Sequence, residues 1–256
     1  MKTRKIVVAN WKMNPVSVKE AKDLFSQIRR KALLLRKTLV IVAPPSVFIS
    51  LFEPSRKNSK SFFLGAQNTS WQASGALTGE VSTGMLKDLG VSYVIVGHSE
   101  RRILGETDAI VARKMASLFG ERLTPILCIG ERDRDQHGDY LSVLANQIKN
   151  SLAGVSKRDI VNTIIAYEPI WAIGKTARDA MDSHKLHETT LFIRRTLTEL
   201  YGRSIALVVP IIYGGSVEPA NASDLIENGN VSGFLVGHAS LSAKGFGEII
   251  QAVESL

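Results

Sequence analysis

Short runs rich in valine and isoleucine alternate with helix-period segments along the whole chain. The runs expected to form strands are Ile6–Asn10, Thr38–Ala43, Phe62–Ala66, Val91–Val96, Leu123–Ile129, Thr163–Glu168, Val208–Tyr213 and Ser232–Val236. Between them, apolar residues recur at the spacing that lines one face of a helix: Val18, Ala21, Leu24, Phe25 and Ile28, then Val111, Met115, Leu118 and Phe119. Leu141, Leu144, Ile148 and Leu152 repeat the pattern, as do Phe246, Ile249, Ile250 and Val253 near the end. Strands that are almost continuously apolar are buried on both faces, which predicts a parallel sheet covered by helices.

Eight such units in 256 residues match a closed (β/α)8 barrel. The competing architecture, an open doubly wound sheet, calls for a G-x-G-x-x-G turn after an early strand, and none occurs. No linker, low-complexity tract or break in composition divides the chain, so residues 1–256 are expected to form one α/β barrel domain.

Composition narrows the function classes. A hydrophobic fraction of 45% with 22% charged residues is that of a globular protein with a sizeable core. The lone cysteine, Cys128, rules out an internal disulfide and fits a reducing cytosol. The segment Met1–Lys5 leads into only a short apolar run before Asn10, so no signal peptide is expected. No run approaches the roughly 18 apolar residues that span a bilayer. A cytoplasmic protein without a membrane partner follows as the expectation. The net charge of +8 raises the question of nucleic acid, but aromatic residues are sparse and not interleaved with the basic ones. The densest basic patch, Arg29–Lys31 with Arg36 and Lys37, surrounds Leu33–Leu35 and reads as a helix end with a solvated face. No nucleic-acid partner is expected.

Candidate chemistry gathers just past the strand ends, where a barrel converges its loops on one face. Glu168 ends the sixth run and is fixed by Pro169, which suits a general base; a salt-bridged strand-end glutamate is the plainer reading. After the first run come Asn10 and Lys12, an amide beside a cation. After the fourth comes Gly97-His98-Ser99-Glu100, in which His98 is a possible acid or electrophile. Glycines follow the last two runs, in Tyr213-Gly214-Gly215-Ser216 and Val236-Gly237-His238. Glycines that open helices after strands 7 and 8 expose backbone N–H groups to phosphate, although paired tight turns account for them too.

Taken together these residues resemble the triosephosphate isomerase family, and the resemblance covers essentially the whole chain. It rests on NWKMN (10–14), GAQN (65–68), GALTGEVS (75–82), VGHSERR (96–102), PILCIGE (125–131), AYEPIWAIG (166–174) and IIYGGSV (211–217). The resemblance implies a single TIM barrel that interconverts an aldose and a ketose three-carbon phosphate without cofactor or metal. Glu168 would carry the proton between neighbouring carbons, while neutral His98, Asn10 and Lys12 stabilise the enediolate. That mechanism is established for the family and comes to this chain by resemblance. Glu100 would position Lys12, and Cys128 would pack near the site without acting as a nucleophile. Gly174, Ser216, Gly237 and His238 would surround the substrate phosphate. Pro169, Ile170, Trp171, Ala172, Ile173, Lys175, Thr176 and Ala177 would form a lid with its two hinges. Thr78, at the tip of the GALTGE loop, would insert into a second subunit of a homodimer; a folded-back surface loop is the alternative.

Three positions depart from the family's pattern. Gly174 runs straight into Lys175-Thr176-Ala177, without the Thr-Gly pair that usually forms the lid tip. His238 stands where the family has a glycine facing the phosphate, and Ser232 where an aspartate is common. These changes fall on the phosphate grip. A shortened tip makes a leaky lid, and a water-exposed enediolate phosphate expels phosphate to give methylglyoxal. His238 either obstructs the phosphate or supplies a donor that replaces the lost contact. The altered grip keeps two other functions open: an isomerase of a four-carbon ketose phosphate and a non-catalytic phosphate-binding relative. Gly174-Lys175-Thr176 mimics the end of a P-loop, but the loop's first glycine would fall on Pro169. His184-Lys185-Leu186-His187-Glu188 lacks metalloprotease spacing and reads as helix surface.

Overall fold

The computed structural model describes residues 4–52, 59–135, 137–172, 174 and 181–256. Eight parallel strands close on themselves in chain order: β1 (Lys5–Asn10), β2 (Thr38–Ala43), β3 (Phe62–Ala66), β4 (Tyr93–Val96), β5 (Thr124–Ile129), β6 (Ile164–Tyr167), β7 (Ile211–Tyr213) and β8 (Gly233–Val236). Helices follow the strands and pack outside, as the alternation in the sequence requires.

The period of two along each strand splits the core into two layers. Ile6, Val8, Ile41, Ile95, Ile126, Cys128, Ile164, Ala166, Ile212 and Leu235 fill the inside of the barrel. Val7, Val40, Val42, Val94, Leu127, Ile165, Phe234 and Val236 point outward against the helices. The barrel shuts where β8 meets β1, with Ile6 opposite Gly233. A methyl group at Gly233 would lie 1.7 Å from the Ile6 carbonyl oxygen, so only glycine lets these two backbones meet.

The expected strands differ from the observed ones mainly at their starts. Val91 and Leu123 donate their amides back to the helical turns before them, to Leu86 and Leu118, and so never join the ladder. Val208 ends a short helix, Arg203–Val208, and Pro210 has no N–H to pair, which delays β7 until Ile211. Pro210 still contributes through its carbonyl, which accepts from the Ile165 amide at 2.9 Å. The helix Val18–Ala32 buries Ala21, Leu24, Phe25, Ile28 and Ala32, but Val18 in its first turn is exposed. Ser17 caps that helix by accepting from the Glu20 amide. No helix among the described residues is long and apolar enough to cross a membrane.

Candidate active site

The same alternation that fills the barrel aims the candidate residues into its mouth. Asn10 continues the inward row of Ile6 and Val8, and Glu168 continues the row of Ile164 and Ala166. Both are almost fully buried. Glu168 lies one residue beyond β6, yet its amide still donates to the Ile129 carbonyl at 2.7 Å, so the ladder delivers it to a fixed place. Asn10, Lys12, His98 and Glu168 line one cleft of about 650 Å³ with Gly174, Gly214, Gly215, Ser216, Gly237 and His238.

His98 caps the short helix Ser99–Ile103, and its ring is held from both sides. Nδ1 accepts from the Glu100 amide at 3.2 Å, and Nε2 lies 3.1 Å from Glu168 Oε1. The other carboxylate oxygen, Oε2, accepts from the Ser99 amide at 3.3 Å. Burial, the largest influence on the imidazole, lowers its pKa, but the charge and hydrogen bond of Glu168, helped by Glu100, outweigh it and leave the pKa above 6.5. A doubly protonated ring would turn an N–H toward the Glu100 amide that now donates to Nδ1. Charging the ring would cost that hydrogen bond, and in the neutral ring the bond places the proton on Nε2.

Lys12 takes a left-handed backbone conformation, φ 52°, which costs a non-glycine residue about 1 kcal/mol. Its peptide groups are tied at both ends. Asn10 Oδ1 accepts from the Lys12 amide at 3.1 Å, and Gln67 Nε2 donates to the Lys12 carbonyl at 2.9 Å. The ammonium meets Glu100 Oε1 at 2.5 Å, the partnership expected for it.

Cys128 is buried inside the barrel, where desolvation and the nearby Glu168 carboxylate push its thiol well above the usual range. Both influences disfavour the thiolate at this position. On the lid side, Ile170–Ala172 form one 3-10 turn after Pro169. Trp171 Nε1 donates to Glu131 Oε1 at 2.8 Å, and Ser216 Oγ donates to the Ala172 carbonyl at 2.9 Å. Gly174 is exposed with φ 73°. Of the remaining lid residues, Ile173, Lys175, Thr176 and Ala177 lie outside the described residues. Thr78 is exposed on the loop between β3 and the next helix.

The residue reading missed three supports. Glu131 is buried and accepts from Tyr167 Oη at 2.9 Å as well as from Trp171, joining the sixth strand to the 3-10 turn Ile170–Ala172. It lies two residues past β5, in the outward row of Leu127 and Ile129, whereas Glu168 follows β6 directly in the inward row, so a search for cleft residues passes it over. Gly214 was read for its backbone, but a methyl group there would lie 2.8 Å from Glu168 Cγ, so it also makes room for the carboxylate. The tie from Gln67 to Lys12 had no local signal, since it spans 55 residues.

The chain matches the triosephosphate isomerase family model over residues 5–253. It belongs to that family. Among its relatives is a triosephosphate isomerase of Thermoanaerobacter pseudethanolicus, 43% identical over 96% of this chain and 98% of the relative. Triosephosphate isomerases of Clostridium novyi and Fusobacterium nucleatum are 42% and 41% identical, covering 96% and 97% of this chain and 97% and 98% of their own lengths. Family membership thus agrees with the closed barrel and with a cleft at the C-terminal ends of its strands.

Proposed function

We propose that residues 1–256 act as one catalytic unit that interconverts glyceraldehyde 3-phosphate and dihydroxyacetone phosphate. The observation that carries the reading is the contact between Glu168 Oε1 and His98 Nε2 at 3.1 Å, buried at the floor of a cleft that also holds Lys12. In this arrangement the base and the donor satisfy each other. A substrate carbonyl oxygen takes over the Nε2–H and frees the carboxylate to remove a proton from the adjoining carbon. The enediolate gathers charge against His98, Asn10 and the Lys12 ammonium; His98 Nε2 gives its proton to the former carbonyl oxygen and takes one from the neighbouring hydroxyl, and Glu168 returns the carbon-derived proton to the neighbouring carbon. Glu100 holds Lys12 in place while this happens.

The phosphate faces Ser216, Gly237, His238 and Gly174. The amides of Gly215, Ser216, Gly237 and His238 find no backbone acceptor among the described residues, which leaves them for an anion. The lid, lacking Thr-Gly after Gly174, closes less completely than in relatives, so some enediolate is lost as methylglyoxal. The protein works in the cytoplasm as a homodimer, with Thr78 reaching the partner's site. Met13 and Val16, apolar yet 90% and 88% exposed beside Lys12, support a covered face there.

The test is purified protein with glyceraldehyde 3-phosphate, following dihydroxyacetone phosphate and methylglyoxal in the same sample, with Glu168→Gln alongside. Isomerisation that persists in Glu168→Gln would sink the mechanism. A product ratio free of methylglyoxal would remove the leaky lid and leave the isomerase. A monomer by sedimentation at assay concentration would remove the dimer.

A further inference from the structure

His238 is the one histidine on the β7–β8 side of the cleft, and its surroundings differ from those of the buried His98. It opens the 3-10 turn His238–Leu241 directly after β8, is exposed, and lines the cleft. Neither ring nitrogen has a hydrogen-bond or ion-pair partner among the described residues, whereas His98 is tied at both nitrogens and His184 sits 3.7 Å from Glu188. The preceding residue, Gly237, backs onto Lys12: a methyl group there would lie 3.5 Å from Lys12 Cε. His238 therefore flanks the space between the Lys12 stem and the unpaired amides.

The charges facing that space do not favour a dianion. Lys12 is the one fixed cation among the described residues that line the cleft, opposed by Glu168 and Glu218, and its ammonium is already paired with Glu100. His98 cannot add positive charge without giving up the Glu100 amide. Lys244, in the helix packed against the 3-10 turn, lines a different groove with Lys31 and Leu34. Among the described residues of the cleft, His238 alone can take up a proton without breaking a contact, and imidazole is the side chain that changes charge between about pH 5 and 8.

Resting on the triose phosphate reading above, we propose that His238 is a proton-dependent phosphate ligand whose imidazolium donates to the substrate's phosphate, so that the grip on a dianion tightens as the medium becomes mildly acidic. A charge-assisted hydrogen bond replaces a neutral one at the rim of the site. The chemistry of the reaction is untouched. What changes is how much substrate is held at a given concentration.

Inorganic sulfate is the suitable probe, because it stays a dianion throughout the range and leaves the protein as the only titrating partner. Sulfate affinity is measured by calorimetric titration at constant ionic strength for the unmodified protein, His238→Gln and His98→Gln. Between about pH 8 and pH 6, binding to the unmodified protein and to His98→Gln tightens about fivefold, and binding to His238→Gln stays flat. A His238→Gln protein that keeps the full slope, or a His98→Gln protein that loses it, overturns the assignment while leaving the phosphate site standing. Absence of sulfate binding at every pH overturns the assignment together with the phosphate site. Isomerisation by the unmodified protein tests the enzymatic reading separately. As a second readout, KM for the triose phosphate dianion near pH 6 rises in His238→Gln with kcat nearly unchanged; a fall in kcat alone contradicts a binding role.

Discussion

The wall of the cleft built from β1, β4 and β6 carries side chains tied to one another, with Asn10, His98 and Glu168 buried, whereas the wall built from β7 and β8 carries groups that are half-exposed or exposed and largely untied. On the first wall, Glu168 is held by the His98 ring and the Ser99 amide, and Lys12 by Gln67, Asn10 and Glu100. On the second, His238 has no partner among the described residues, and Ser216 spends its hydroxyl on the Ala172 carbonyl. Groups that move protons need fixed geometry before substrate arrives, because reorganising them would add to the barrier. Groups that hold a phosphate are completed by the phosphate itself.

The largest break in this comparison comes from Glu168→Gln, which keeps shape but removes the proposed base. The expected loss in kcat is about a thousandfold, with KM moving by less than about threefold. Comparable losses in KM would mean that Glu168 belongs to the binding wall after all. Gly214→Ala is subtler, because it is contributed by the second wall but acts on the first. A methyl group 2.8 Å from Glu168 Cγ displaces the carboxylate and lowers kcat about tenfold or more. Unchanged kcat would show that the base is not held to the geometry described.

Ser216→Ala sharpens the other side. Losing the hydroxyl that meets the Ala172 carbonyl raises KM about fivefold and changes kcat by less than about twofold. A KM that does not move would take Ser216 out of the phosphate grip.

A control far from both walls has the smallest effect. Glu254, in the last helix, accepts from the backbone amides of Arg36, Lys37 and Thr38. Burial acts to raise its pKa, but these hydrogen bonds outweigh it and hold the carboxyl below its ordinary 4.5. A group depressed in the folded state stabilises it above the unfolded pKa and loses that contribution as pH falls through the folded one. Glu254→Gln should therefore lower the melting temperature slightly at neutral pH, and the two melting curves should converge below pH 4.5. Activity at neutral pH should be the same in both, and a curve separation that persists in acid would remove the carboxylate's role.

The sequence by itself determined the number of strands, their parallel order and the rim positions that the closed barrel brings into one cleft. β2 and β3 fall where the apolar runs place them, since a strand buried on both faces leaves a local record. Lys12, His98 and Glu168 were legible because each follows such a strand directly. Tertiary structure decided the rest. Lys12 meets Glu100 across 88 residues and His98 meets Glu168 across 70, and neither pairing has a local pattern. The use of Gly214 as space for a carboxylate and of Glu131 as the support of the 3-10 turn Ile170–Ala172 appears only when the barrel closes. The physical reason is that periodicity reports which face of an element is buried. Which partner waits on the other side is set by closure of the sheet, and by backbones that approach closely only where a side chain is missing, as at Gly233.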